Sequence, residues 1–131
     1  SGGVYGVAVA PNGDYVYSGA NDNEVHRIDV SGPSQSWTYT GHSDSVNDVV
    51  AGPNGDYVYS AGFDQEVHQI DVSDGSQGWV YTSHSNTLDD VSVGPKGDYV
   101  YSSSRDEEVH QISSIDEGAV AYWDGSNWAG F

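Results

Sequence analysis

Valine, isoleucine and tyrosine are gathered into short runs, and each run stops at a cluster of Pro, Asn, Gly, Asp or Ser. Such runs between turn signals predict β-strands. The first is Val4–Ala10, ended by Pro11-Asn12-Gly13-Asp14. Asn-Gly between two apolar runs predicts a tight hairpin whose two central residues both take positive φ. A second strand follows at Tyr15–Ser18, then a polar turn containing Asp22 and a third strand at Val25–Ile28. Beyond a Ser/Gly/Pro connection lies a fourth strand containing Trp37-Thr38-Tyr39.

The whole pattern then recurs. Val4-Tyr5-Gly6-Val7 returns as Val46-Asn47-Asp48-Val49 and again as Leu88-Asp89-Asp90-Val91, a period of 42 residues. The turns return as Pro53-Asn54-Gly55-Asp56 and Pro95-Lys96-Gly97-Asp98. The second strands return at Tyr57–Ser60 and Tyr99–Ser102, and the third at Val67–Ile70 and Val109–Ile112. Four short strands repeating at about 40–45 residues make a propeller blade. The expected fold is all-β: one propeller segment, an arc of three four-stranded antiparallel blades over residues 4–45, 46–87 and 88–131. The third copy diverges at its end. There Ala119-Val120-Ala121-Tyr122-Trp123 takes the place of the fourth strand, and Asp124–Phe131 runs on as a terminal cap.

Apolar residues make up 36% of the chain and aromatic ones 12%, enough for a core. The formal charge is −17, from 20 carboxylates against Arg27, Lys96 and Arg105. This argues against nucleic acid, whose phosphates are bound by clustered Lys and Arg; cations or basic proteins suit it better. So acidic a surface fits a high-salt environment, a halophile's cytoplasm or its surroundings, because the Debye length shrinks to about 3 Å at 1 M and self-repulsion is screened. Without cysteine there is no disulfide framework, thiolate nucleophile or Cys-based metal site. No apolar run approaches the ~20 residues of a bilayer span, so a soluble chain without membrane contact is expected. The opening Ser1-Gly2-Gly3, without Met, reads as a trimmed chain or a piece of a longer one.

Gly41-His42 before a first strand, the Pro-Asn-Gly-Asp turn, Ser18 ending the second strand, Asp22 in the next turn and Ile28-Asp29 closing the third together resemble the WD-repeat propellers. The near-identical blades and acidic composition are similar to haloarchaeal-type repeats. In the WD-repeat family a His, an Asp and a Ser or Thr form a buried hydrogen-bond network with a Trp. The resemblance implies such a network at His42, Asp64 and Ser60, and at His84, Asp106 and Ser102, with Ser18 and Asp22 as the members in the first copy. The family's Trp is replaced by Ile28, Ile70 and Ile112, which leaves three members, and Ser83-His84 stands where Gly-His is usual.

A Ser, a His and an Asp also make a hydrolase triad, but a catalytic site is needed once and this set recurs with the period, so no catalytic residue is assigned. The second histidine series, His26, His68 and His110, is read as packing residues with one satisfied nitrogen each, because equivalent residues on neighbouring blades are held apart. Neither metal nor cofactor is expected. Acidic residues at Glu24, Asp44, Asp48, Glu66, Asp89, Asp90, Glu107 and Glu108 are placed on one rim, which could bind a basic partner or form a solvated face. Asp71-Val72-Ser73-Asp74-Gly75-Ser76 lacks the oxygen spacing of a calcium loop. Trp37, Trp79 and Trp123 fall at the fourth strand and read as packing, whereas Trp128 is left to close the last blade, to anchor a neighbouring chain or to join the rim in binding a ligand.

An isolated three-blade arc leaves two apolar blade faces open, so self-association is expected, as two chains giving six blades or three giving nine. The function expected is a binding scaffold rather than an enzyme, with a protein ligand on the rim loops. A lectin-like, glycan-binding propeller is the alternative, and a propeller enzyme comes third.

Overall fold

A computed structural model of the chain describes residues 2–32, 35–115 and 119–129. The expectations placed on Ser1, Pro33 and Phe131 lie outside the described residues. All regular structure among these residues is β. The first sheet is β1 (Val4–Val9), β2 (Tyr15–Ala20), β3 (Val25–Asp29) and β4 (Gln35–Tyr39), and the second is β5 (Val46–Ala51), β6 (Tyr57–Gly62), β7 (Val67–Asp71) and β8 (Gln77–Tyr81). The third comprises β9 (Leu88–Val93), β10 (Tyr99–Ser104), β11 (Val109–Ser113), β12 (Ala119–Trp123) and β13 (Trp128–Ala129). Each sheet runs in chain order with antiparallel neighbours, so it is a meander, and the three sheets form an open propeller arc. β12 is the fourth strand of the third blade; β13 folds back on it as a fifth, pairing Trp128 with Trp123.

The register is the same in every blade. Val7 faces Ser18, Ser18 faces His26 and His26 faces Thr38 in the first; Val49, Ser60, His68 and Val80 make the same row in the second. Strand period two then puts Ser18, Ser60 and Ser102 with His26, His68 and His110 on one face, and Tyr17, Tyr59, Tyr101, Tyr39 and Tyr81 on the other. Tyr17, Val25 and Tyr39 of the first blade pack with Val46, Val49, Val58 and Ile70 of the second. The second junction repeats this with Tyr59, Val67 and Tyr81 against Leu88, Val91, Val100 and Ile112. Burying one Val or Ile contributes roughly 1.5–3 kcal/mol, so these junctions, each burying several, hold the arc together. The inner strands approach so closely that a Cβ on Gly6 would stand 2.9 Å from the Asp48 Cα.

The Pro-Asn-Gly-Asp turns differ from the hairpin type expected. Gly13, Gly55 and Gly97 have φ of 80°, 79° and 77°, but the preceding Asn12, Asn54 and Lys96 are not left-handed. The Gly13 amide donates to the Ala10 carbonyl at 2.9 Å, which closes a turn with Pro11 as its second residue. Proline holds φ near −65°, so Pro11 starts a type I turn and only the glycine after it swings to positive φ.

Candidate functional site at the blade junctions

The loop leaving the fourth strand carries His42 across to the next blade. There its Nδ1 lies 2.8 Å from Asp64 Oδ2 and its Nε2 2.7 Å from Ser60 Oγ. Asp64 also accepts the Ser43 amide at 3.0 Å and the Glu66 amide at 3.2 Å, which pins the turn that carries it. His84, Asp106 and Ser102 repeat the set at 2.7 and 2.8 Å. Burial opposes charge on Asp64 and Asp106, yet the hydrogen bonds from His42 and His84 prevail and hold both carboxyls below the usual range. A carboxylate only accepts, so Nδ1 carries the proton, and a neutral ring then accepts the serine hydroxyl at Nε2.

The third-strand histidines enlarge this set. The His68 ring stacks on His42 with centroids 3.8 Å apart, and His110 stacks on His84 at 3.7 Å. His68 Nε2 meets Glu66 Oε1 at 2.8 Å, and its Nδ1 is hydrogen bonded to the hydroxyl of Tyr39 from the preceding blade. His110 does the same with Glu108 at 2.9 Å and Tyr81 at 2.6 Å. The expectation of one satisfied nitrogen per ring is therefore corrected: both are used, because the junction brings a tyrosine from one blade and a glutamate from the other. Burial, and then the neighbouring His42, push His68 down to about 3, so its ring is neutral at pH 7. Burial raises the Tyr81 hydroxyl to about 12.

Three residue sets, His42-Asp64-His68, His84-Asp106-His110 and Asp22-Glu24-His26, bring donor atoms within 4.8 Å of one another. In the first two the rings lie stacked rather than converging, and every donor atom already serves a hydrogen bond. The Ser60-His42-Asp64 geometry is that of a catalytic triad, but Ser60 is 0% exposed and sealed between two blades. What it can do chemically is clamp neighbouring blades through satisfied polar groups.

The family comparison agrees with this geometry. The family model for the WD domain, G-beta repeat, matches residues 1–29, 33–71 and 75–113. The chain belongs to the WD-repeat family. No curated protein matches it. Each matched WD repeat after the first begins before a fourth strand and ends with the third strand of the next blade, so one sequence unit spans two sheets. In this WD-repeat chain Ile70 and Ile112 are fully buried in the hydrophobic clusters, and His68 and His110 add a stacked ring to each network. The sequence held a signal for the Glu–His pairs: Glu24-x-His26, Glu66-x-His68 and Glu108-x-His110 place both side chains on one strand face at the same phase of each copy.

The acidic residues expected on one rim have different surroundings. Glu66 and Glu108 are half-buried partners of histidines, and Glu24 lies 3.3 Å from His26. Asp48 and Asp90 lie within the inner strands, where both accept the Val91 amide, at 3.1 and 2.9 Å. Burial and then the Asp90 carboxyl raise Asp48 to about 7. Asp89 pairs with Arg105 at 3.2 Å on the surface. Asp44 and Glu107 are exposed, and Trp128 is 51% exposed. Ser18 and Asp22 sit on the first blade, whose matching face no other blade covers among the described residues. No helix is long and apolar enough to cross a membrane among the described residues.

Proposed function

We propose that this chain is a non-catalytic propeller scaffold that closes a ring by self-association and presents its exposed rim loops, those between second and third strands and those leaving the fourth, to a protein partner. The observation that carries the reading is the sealing of both Ser-His-Asp sets. Their polar atoms are consumed in joining blades, so recognition falls to the exposed turns, which rigid sheets position. With a charge of −17, a basic protein in a salty medium is the partner favoured. Two measurements test this. A fluorophosphonate, which labels activated serines, is expected to leave Ser60 and Ser102 unmodified; labelling of either would overturn the non-catalytic reading. Binding to a defined panel of basic proteins in molar salt is expected, and is lost in Asp44→Lys/Glu107→Lys; binding to a glycan array that disappears in Trp128→Ala would favour a lectin instead.

A further inference from the structure

The two ends of the arc are the two halves of one junction. Val46 and Val49 in the second blade and Leu88 and Val91 in the third are at most 3% exposed against the blade before them. Val4 and Val7, the same positions in the first blade, are 62% and 66% exposed. At the other end, Tyr101, Val109 and Trp123 occupy the positions that Tyr59, Val67 and Tyr81 use to receive a following blade. One junction part is missing from that end. Where the loops after β4 and β8 deliver His42 and His84, the chain after β12 reads Gly125-Ser126 and turns back as β13. That reversal sets the Trp128 ring 5.9 Å from Trp123. His42 and His84 stand 6.2 Å from Tyr39 and Tyr81, the residues equivalent to Trp123.

Resting on the self-association proposed above, the geometry points to a head-to-tail contact in which the third blade of a second copy covers the first blade. In that contact Trp128 takes the histidine's place and lies on His26. His26 is 21% exposed where the stacked His68 and His110 are each 1%, so its ring is the one of the series still open to a cover. An indole supplies the flat face that the imidazole supplies at the internal junctions, without needing a buried carboxylate to fix its tautomer. The occupant is a copy of this chain because both complementary faces are on it, in the register already used twice within it. A blade-to-blade angle carried through this contact closes a ring instead of extending a filament when two or three chains complete the circle.

Light scattering after size exclusion in molar salt should give two or three chains per particle for the wild type. Val7→Asp, on a face that is solvent-exposed in the single chain, should give one chain per particle with an unchanged β-sheet circular dichroism spectrum. Trp128→Ala should raise the dissociation constant at least tenfold, and His26→Ala combined with it should cost less than the product of the two single losses, because the rings contact each other. Mixing Val7→Asp with Trp128→Ala chains should restore two-chain particles, each having one intact junction; a face-to-face dimer would give none. A single-chain wild type would sink the self-association reading itself. An oligomeric wild type that both variants leave intact, or whose mixed variants fail to pair, would overturn this head-to-tail placement alone.

Discussion

At the scale of single residues, His42 is the member whose loss costs most. Its removal takes from Asp64, with a side chain only 2% exposed, its side-chain donor and leaves it the Ser43 and Glu66 amides. His42→Ala should therefore lower stability by about 1–3 kcal/mol in urea denaturation. Protonation acts on the same network. His68 is depressed in the folded chain, so its stabilising contribution is complete above the unfolded histidine value near 6.5 and drains away as pH falls toward about 3. The urea midpoint should thus decline between pH 6.5 and 4, and His68→Gln should flatten that decline. The serine, histidine and aspartate positions were legible because each recurs at one phase of a 42-residue period. The histidine stack was not, since it depends on two blades meeting face to face, and sequence spacing within a blade does not encode that distance.

Elements obey local rules that the sequence shows unevenly. Strand positions were readable from runs of Val and Tyr, with ends misplaced by a residue or two, as at β2, which continues through Gly19 and Ala20. The turn type was misread because Asn-Gly dominates the pattern while Pro11, one residue earlier, dictates the backbone. The turns between second and third strands hold another constraint: Asn23, Gln65 and Glu107 have φ of 70°, 71° and 72°. Left-handed backbone costs an ordinary L-residue about 1–2 kcal/mol, and asparagine tolerates it best. Gln65→Gly and Glu107→Gly should each stabilise the chain by about 0.5–1 kcal/mol after glycine's greater unfolded-state entropy is counted, whereas Asn23→Gly should be close to neutral. Chemical denaturation of the three variants side by side checks the order.

For the whole molecule the governing quantity is charge. Twenty carboxylates against three basic side chains repel one another at low salt, and raising NaCl from 0.1 to 1 M shortens the Debye length from about 10 to about 3 Å. The melting temperature should rise by several degrees over that range. Asp48 is acted on first by burial and second by the neighbouring Asp90 carboxyl. Its folded value, raised to about 7, means that the folded chain holds a proton the unfolded chain has released, so stability is lost as pH climbs from about 4 to 7. Asp48→Asn should remove that loss, with a higher urea midpoint than wild type at pH 8 and little difference at pH 4. The sequence announced the net charge but not this pairing, which requires the inner strands β5 and β9 to run side by side.

Each matched repeat after the first spans parts of two sheets, and this has a consequence for how such a gene changes length. Because 33–71 and 75–113 are offset by one full period, misaligned recombination between two copies removes or adds a whole period wherever the exchange falls. Excising one period joins the third strand of one blade to the fourth strand of the next, and the hybrid blade still presents a valine face behind and a tyrosine face ahead. Copy number can therefore drift without any junction being redesigned, and the quantity exposed to selection is the number of blades that completes a circle.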